Sequence, residues 1–343
     1  MKMGLTIVDK INLKIHSYAE YIGSGGGTYA LKKKAFQVKG YNVVLRFKWF
    51  IYLLAGFSTE NYFAYHLYEK TWKESNEFVS LRRGERIIKE FNKCSNREVV
   101  ENKAIFGDVF KDYTKRNIIS TANNSYEDFK LLCKKNKRLI IKPSWGCNGN
   151  KIFIIDATSE QEIKNTWQSI KNREYVIEEV LEQDGILHDL NPKTLNTIRV
   201  NVFNNHGDAR IINAILRSGQ GDVVTDNICS GGCVCEIDIK TGVVMTDFVD
   251  LSNHVYKSHP LTGVTMNGQK IPSWSKICDT VIKISKLLPD VGYQSWDIAV
   301  IKDGDVAVVE GNTYGNFNIQ QVPQMRGVRK LYEGLLNEYR RKD

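Results

Sequence analysis

Two apolar runs joined by an Asp-Gly pair at 303–304 constrain the fold of this chain more than any other feature of its sequence. The runs predict two strands, and Asp-Gly between strands is a strong signal for a tight hairpin turn. The hairpin brings Asp297 back beside Glu310, and Asn312 shares a face with Glu310 because side chains two residues apart on a strand point the same way. Two carboxylates and one amide oxygen on one face suit a hard cation such as Mg²⁺ that carries a polyphosphate. A solvated face at a strand end would show the same pattern, so the hairpin alone leaves both interpretations open.

The composition sets the class of protein and of partner. At 343 residues the chain is long enough for two or three subdomains that share a large core. A hydrophobic fraction of 42% with 25% charged residues is ordinary for a globular enzyme and argues against broad disorder. The net charge of +9 predicts acidic partners, among which nucleotides, phosphosugars, nucleic acids and anionic membrane surfaces all qualify.

The apolar segments and the cysteines indicate where such a protein works. The longest apolar stretch, residues 49–57, falls far short of the roughly 20 residues of a membrane span, which leaves open only a peripheral membrane contact of this segment. Seven cysteines without a CxxC pair, and no secretory signal, predict reduced thiols and a cytoplasmic location. Cys229, Cys233 and Cys235 are crowded, but Val234 lies between the last two in a strand-like run, which favours a structural role over a metal site.

A loop that can hold phosphate lies in the middle of the chain. The first hundred residues are mostly helical in pattern, and their glycine run at 23–28 lacks the Gly-Lys-Ser/Thr of a phosphate loop, so it predicts a flexible turn. Beyond Lys103 short strands and helices alternate. Lys142 closes a strand and opens the polar loop 143–150, where one ammonium and several backbone N–H groups can surround phosphate oxygens.

Charged residues also occur inside or at the end of later strands. Glu178 and Glu179 end a buried strand before a linker that can present its backbone to an adenine edge, although glutamates at a strand end are often merely solvated. Arg199 and Arg217 lie in strand patterns, where arginine is costly unless it meets an anion. Both arginines can therefore clamp a phosphate or a substrate carboxylate.

The chain resembles the ATP-grasp superfamily from about Lys103 to Gln321. The resemblance rests on the order of its parts: first the lysines, then the linker after Glu178 and Glu179, which we call the hinge, then the arginines and finally the acidic hairpin. The finer resemblance is to the branch of sugar-transfer-associated ATP-grasp proteins. The motifs that carry it are EQ at 182–183, NPKTLNTIR at 191–199, LRSG at 216–219, DNICSGG at 226–232, HP at 259–260, GQKIP at 268–272, WDIAV at 296–300, EGNTYGN at 310–316 and QQ at 320–321.

The resemblance implies an α+β fold of the ATP-grasp type, in which two α+β subdomains clasp ATP and a mainly helical region precedes them. It divides the chain into a helical region at 1–100, a subdomain at 101–180 with the phosphate-binding lysines and the glycine loop, and a subdomain at 181–343 with the arginines and the Mg²⁺ site.

The resemblance also implies roles for single residues, with ATP and two Mg²⁺ ions as cofactors. Catalysis would fall to Arg199, Arg217 and Lys142, and metal binding to Asp297, Glu310 and Asn312. ATP would be held by Lys103, Lys142, Ser144, Trp145, Gly146, Asn148, Gly149, Glu178, Glu179, Val180, Leu181 and Glu182, with Glu182 on the ribose and His188 as the second choice. The acceptor side would include Asp226, Asn227, Gly231, Gly232, His259 and Gln320. His254 or His259 could assist deprotonation of an amine, and a surface or hydrogen-bonded histidine is the alternative for both.

The activity that the resemblance implies is ATP-dependent joining of a carboxylate to an amine through an acyl phosphate. The partners would be a small-molecule or sugar-linked carboxylate and an amino acid or amine, in surface polysaccharide biosynthesis. No Ser-His-Asp or Cys-His motif stands out, which is consistent with a reaction that needs no protein nucleophile. A kinase that phosphorylates its acceptor and stops, and a basic protein that binds nucleic acid or a membrane surface, are the alternatives.

Overall fold

Short helices make up the described N-terminal part of the chain. The computed structural model describes residues 43–93, 95–146, 152–220, 226–228 and 231–342. Its first elements are α1 (Val43–Leu54), α2 (Thr59–Ala64), α3 (Trp72–Ser75), α4 (Leu81–Phe91), a 3-10 turn (Ser95–Arg97) and α5 (Glu98–Glu101). Ser58, Thr71 and Ser80 cap α2, α3 and α4 by accepting hydrogen bonds from the backbone of the first turn. The predicted helical character is confirmed for the described part, and the glycine run at 23–28 lies outside the described residues.

The apolar stretch at 49–57 is shared between a core and the surface. Tyr52 and Phe57 are buried among the N-terminal helices, whereas Phe47 and Leu54 of α1 are exposed. Within the described residues, no helix combines the length and the apolar character that crossing a membrane requires. A peripheral membrane contact of α1 stays a prediction.

A four-stranded antiparallel sheet with four described helices forms the smaller subdomain. Its elements are α6 (Lys103–Val109), α7 (Lys111–Thr114), β1 (Ile118–Ser120), α8 (Tyr126–Lys135), β2 (Arg138–Pro143), β3 (Phe153–Asp156), α9 (Glu160–Ile170) and β4 (Tyr175–Glu179), with the strands in the order β1-β4-β2-β3. Phe129 of α8 stacks on Trp167 of α9, and both pack on Leu139 and Ile177 of the sheet. Ser159 caps α9 by accepting a hydrogen bond from the Glu162 N–H. The small sheet thus has a core of its own.

A seven-stranded antiparallel sheet forms the larger subdomain. Its elements are α10 (Gly185–Leu190), β5 (Thr197–Asn205), β6 (Asp208–Ser218), β7 (Cys233–Ile237), β8 (Phe248–Val249), β9 (Val255–Tyr256), α11 (Trp274–Lys286), β10 (Tyr293–Val300), β11 (Val306–Asn312), α12 (Asn318–Gln321) and α13 (Arg329–Arg340). The strand order is β11-β10-β5-β6-β7-β8-β9. Ile277, Val281 and Ile284 of α11 are buried in the core of this sheet. The predicted α+β class is confirmed. Residue 180 lies between β4 of the small sheet and β5 of the large sheet, and the division of the chain into three regions stays a prediction.

Strands β10 and β11 form the predicted hairpin. Their connection is a 3-10 turn, Lys302–Gly304, which is closed by a 2.8 Å hydrogen bond from the Ile301 N–H to the Asp305 carbonyl. Asp303 and Gly304 both have positive φ, at 61° and 70°, the conformation that favours Gly and Asp in such turns. Because Ile301 and Asp305 still pair, three residues form the turn, one more than in the tight two-residue turn that the sequence predicts.

Candidate active site

A cavity of about 1180 Å³ opens among the two sheets and the N-terminal helices. This volume exceeds the roughly 300–1,000 Å³ of a typical small-molecule site, so the cavity has room for more than one ligand. The predicted residues that line it are Lys103, Lys142, Trp145, Gly146, Arg199, Arg217, Asp226, Asn227, Asp297, Glu310 and Asn312. The fold therefore brings together the predicted lysines, arginines and metal ligands, which are far apart in sequence. Ser144 is buried and does not line the cavity, and Asn148 and Gly149 lie outside the described residues.

The hairpin places three oxygen-bearing side chains on one face. Asp297 pairs with Glu310, and Ser295 pairs with Asn312, so the side chains of Asp297, Glu310 and Asn312 share a face of the sheet. The amide of Asn312 lies 3.5 Å from Glu310 Oε1. The arrangement that the sequence predicts at this point is present in the structure.

A β-bulge creates this alignment. Ile298 pairs with Val308, so a regular ladder would place Asp297 opposite Val309. The register shifts by one residue between Asp297 and Ile298, and Glu310 takes that place instead. Since a shift of one residue turns a side chain to the other face of the sheet, Glu310 would face away from Asp297 without the bulge.

Two arginines already hold Asp297. Arg199 donates from Nε to Oδ1 at 2.7 Å and from Nη2 to Oδ2 at 2.6 Å, and Arg217 donates from Nη1 to Oδ2 at 2.5 Å. Arg217 also donates to Asp226 Oδ1 at 2.8 Å. Burial would raise the pKa of the Asp297 carboxyl, but the two guanidinium groups outweigh it and hold this pKa well below its usual range. The sequence predicts both arginines as anion clamps but does not reveal that a carboxylate of the same site orients them.

The side-chain oxygens of Asp297, Glu310 and Asn312 suit a hard cation. Burial and, second, the negative charge of Asp297 raise the pKa of the Glu310 carboxyl. A divalent cation between the two carboxylates would remove this repulsion. Asp297 accepts three hydrogen bonds from the arginines, which leaves one of its roughly four acceptor positions for a metal. Carboxylate and amide oxygens are the ligands that Mg²⁺ uses in proteins, so the three residues suit it.

A buried ion-pair network links the small sheet to the hairpin. Glu178 Oε2 accepts from Lys142 Nζ at 2.8 Å and from Arg116 Nε at 2.9 Å, and the Arg116 and Glu178 side chains are 2% and 4% exposed. Arg116 also donates to the carbonyls of Val308 and Val309 at 3.0 and 2.9 Å. Arg116 therefore ties β4 to β11 at the bulge that positions Glu310. Sequence reasoning missed Arg116, because a single arginine before a short strand carries no pattern.

We expect acid to remove the contribution of this network to stability. Burial raises the pKa of Glu178, but Arg116 and Lys142 outweigh it and lower the pKa to about 2, against an ordinary value of 4.5. The carboxylate therefore stabilises the folded protein in full above pH 4.5, and this contribution is lost as the pH falls toward 2. The difference in urea midpoint between the wild type and Glu178→Gln should shrink over that range. A difference that stays constant as the pH falls would contradict the assignment.

The family is decided by the match of residues 82–335 to the family of sugar-transfer associated ATP-grasp proteins. This match covers most of the 343 residues and includes the lysines, the arginines and the hairpin. The chain belongs to this family. The fold and the family that the sequence predicts are thereby confirmed. Among curated proteins, none matches this chain significantly.

Several solved ATP-grasp structures are distantly similar. The ATP-grasp ligase PsnB, in complex with a minimal precursor, Mg and ADP, shares 13% identity over 73% of this chain and 62% of its own, with a TM-score of 0.45. The D-alanine-D-alanine ligase from Coxiella burnetii shares 11% identity over 72% of this chain and 60% of its own, with a TM-score of 0.41. This chain thus spans about three fifths of the length of both proteins.

The segment of this ATP-grasp protein that was predicted to hold adenine lies at the end of β4. Residues 178–182 do not line the cavity. The Glu178 side chain points to Lys142, and Glu179 accepts hydrogen bonds from Asn117 and Asn136. Glu182 and His188, the two ribose candidates, are exposed and are not part of the lining. The adenine and ribose roles of these residues stay predictions.

The predicted acceptor residues divide into two groups. Asp226 and Asn227 line the cavity, and Asp226 also accepts from the backbone N–H and the hydroxyl of Thr197. His259 is 1% exposed, and its Nε2 lies 3.1 Å from Ser218 Oγ. The other described candidates also lie outside the lining: Gly231, Gly232, Gln320, which accepts from the Tyr332 hydroxyl, and His254, which pairs with Asp250. The acceptor roles of both groups stay predictions.

Proposed function

We propose that this protein is an ATP-dependent carboxylate–amine ligase that works through an acyl phosphate. The observation that carries the proposal is that one cavity gathers two lysines, two arginines and three side chains that can offer oxygen to a metal. Phosphoryl transfer depends on alignment and charge neutralisation, and these side chains supply both without a protein nucleophile.

Each group has a place in this proposal. Lys103, Lys142 and the loop that begins at Trp145 hold the phosphates of ATP, and the three ligands on the hairpin hold two Mg²⁺ ions. When bound, Mg²⁺ neutralises charge on the phosphate oxygens. Lys103 Nζ donates to the Gly146 carbonyl at 2.8 Å, so this lysine already fixes the start of the loop. Arg199 and Arg217, oriented by Asp297, face the transferred phosphoryl group.

The reaction has two steps. An oxygen of the substrate carboxylate attacks the γ-phosphorus of ATP, the bond to the β–γ bridging oxygen breaks, and ADP leaves with that electron pair. The ammonium form of the amine loses one proton to solvent, and the neutral nitrogen then attacks the acyl carbon, loses a second proton and expels phosphate, which leaves an amide. The arginines stabilise the phosphoryl oxygens in the first step and the departing phosphate in the second.

We propose a sugar acid as the carboxylate and an amino acid or amine as its partner, in cytoplasmic steps of surface polysaccharide biosynthesis. The association of the family with sugar transfer supports this choice. The net charge of +9 suits substrates that carry carboxylates and phosphates.

Amine dependence tests the reaction class. With Mg²⁺ and ATP, a panel of uronic acids and a panel of amines, we expect ADP and phosphate to form in equal amounts and an amide to accumulate only when both substrates are present. Coupled ADP and phosphate assays with mass spectrometry of the product measure this. A stable phosphate ester of the acceptor that forms without amine would indicate a kinase instead. No ATP consumption with any pair, together with salt-dependent nucleic-acid or vesicle binding that survives changes of Asp297 and Glu310, would indicate a binding protein.

A further inference from the structure

The cavity continues past the proposed metal ligands into the N-terminal helices. Residues 309–318 line it without a break, from the hairpin to the start of α12. At the far end, Ser58, Glu60 and Asn61 from the start of α2 line the same cavity. The Asn318 amide donates to Glu60 Oε1, so the last residue of this run contacts α2 directly. The N-terminal helices are therefore part of the wall of the active site.

The amide of Asn318 has a fixed orientation. Its Oδ1 accepts from Asn61 Nδ2 at 2.8 Å and from the Tyr65 hydroxyl at 2.5 Å. Gln321 Nε2 donates in turn to the Tyr65 oxygen at 2.9 Å. Because Oδ1 is occupied by two donors, the NH₂ group of Asn318 is the side that faces Glu60. The network thus holds Glu60 through one of its two carboxylate oxygens.

Glu60 lacks a cationic partner in the described part of the chain. No described lysine, arginine or histidine forms an ion pair with it, and no described residue hydrogen-bonds to its Oε2. Burial raises the pKa of the Glu60 carboxyl. A partly buried carboxylate whose only hydrogen bond from a described residue comes from an amide is costly for the free protein, and proteins keep such costly groups chiefly at functional sites. Its second oxygen remains available to a ligand in the cavity.

We propose that Glu60 binds the ammonium group of the amine substrate, so that the N-terminal helices form the amine subsite. The proposal rests on the ligase function proposed above. Charge then sorts the two substrates: Glu60 attracts the ammonium group and repels the substrate carboxylate, which we place beside Arg199 and Arg217. A cation that binds Glu60 also offsets the cost of burying this carboxylate.

Hydroxylamine makes it possible to test the amine subsite independently of acyl phosphate formation. This small nucleophile is uncharged at neutral pH, and it traps an acyl phosphate as a hydroxamate without an ammonium group. The experiment compares the wild type, Glu60→Gln and the control Glu69→Gln, an exposed glutamate of the same helical region that does not line the cavity. Hydroxamate formation is measured with the uronic acid panel. The KM of the most active amine from a panel of amino acids and ethanolamine is measured next, followed by the urea midpoint.

Glu60→Gln is expected to raise the KM of the amine by about tenfold or more, the usual effect of losing one hydrogen bond to a charged group. Hydroxamate formation and the KM of ATP should not change, and the urea midpoint should not fall. An unchanged amine KM, or a fall in the urea midpoint that Glu69→Gln does not show, would give Glu60 a structural role and overturn the proposal. If the wild type forms no hydroxamate with any acid, the ligase function itself fails and the amine subsite with it.

Discussion

Replacing Glu310 with alanine is expected to lower ATP turnover by about 10³-fold, the scale seen when one group that stabilises charge in a transition state is removed. Glu310 lies opposite Asp297 on the face that we propose for Mg²⁺. Its removal still leaves Arg199 and Arg217 matched by Asp297 and Asp226. The fold should therefore survive while the chemistry fails. Steady-state ADP release with a uronic acid and an amine measures the loss.

A second carboxylate on the same hairpin provides the matched control. Asp305 lies beside the turn, pairs with Lys276 and Lys115 at 2.6 and 3.7 Å, and does not line the cavity. Partly exposed ion pairs of this kind contribute little to stability, so Asp305→Asn should retain wild-type turnover. Wild-type turnover in Glu310→Ala would remove Glu310 from the metal site. Equal losses in both variants would attribute the effect to the hairpin as a whole.

Replacing Glu178 with glutamine is expected to reduce the free energy of unfolding by about 3–5 kcal/mol. Glutamine has a similar shape but no charge, so Arg116 and Lys142 would remain buried without a counter-charge. Because Arg116 also holds the carbonyls of Val308 and Val309, the loss should loosen the hairpin as well. Urea denaturation at pH 7, followed by circular dichroism, measures the change in the midpoint.

Glu179, the next residue in the sequence, provides the control for the loss of a buried charge at Glu178. Glu179 accepts hydrogen bonds from Asn117 and Asn136 and forms no ion pair with a described residue. Glutamine can keep part of these bonds through its carbonyl oxygen, so Glu179→Gln should cost about 1 kcal/mol or less. If Glu178→Gln costs no more than Glu179→Gln, the buried network does not hold the two sheets together.

The hairpin could be predicted from the sequence because its signals are local. The Asp-Gly pair and two apolar runs lie within about twenty residues, and Glu310 and Asn312 share a face by strand geometry alone. The register of β10 against β11 was harder to predict, because the pairing of Asp297 with Glu310 depends on a bulge. A bulge inserts one residue without a consistent sequence signal, so the prediction was correct in its outcome while the reason for it appeared only in the structure.

The contacts that sequence reasoning missed join residues far apart in the chain. Arg116 meets Val308 across 192 positions, and Glu60 meets Asn318 across 258. No periodicity or spacing connects such residues, because tertiary packing of different subdomains creates the contact. The order of the charged residues pointed to the family, whereas their pairing within the cavity required the fold.

Some predicted site residues also make structural contacts. The resemblance implies that Glu178 holds adenine, and its carboxylate is enclosed by Arg116 and Lys142. His259 was a candidate near the acceptor, and it is buried beside Ser218. A sequence shows which residue types are present, but burial and partner choice decide whether a charged group serves a ligand or the fold.

The most direct test of the central claim is calorimetric titration of a non-hydrolysable ATP analogue into the wild type and Glu310→Ala, each with and without Mg²⁺. If the hairpin holds the metal, the wild type should bind the analogue more tightly with Mg²⁺, and the variant should lose most of this dependence. The same Mg²⁺-dependent affinity in both proteins would contradict the assignment of the hairpin as the metal site.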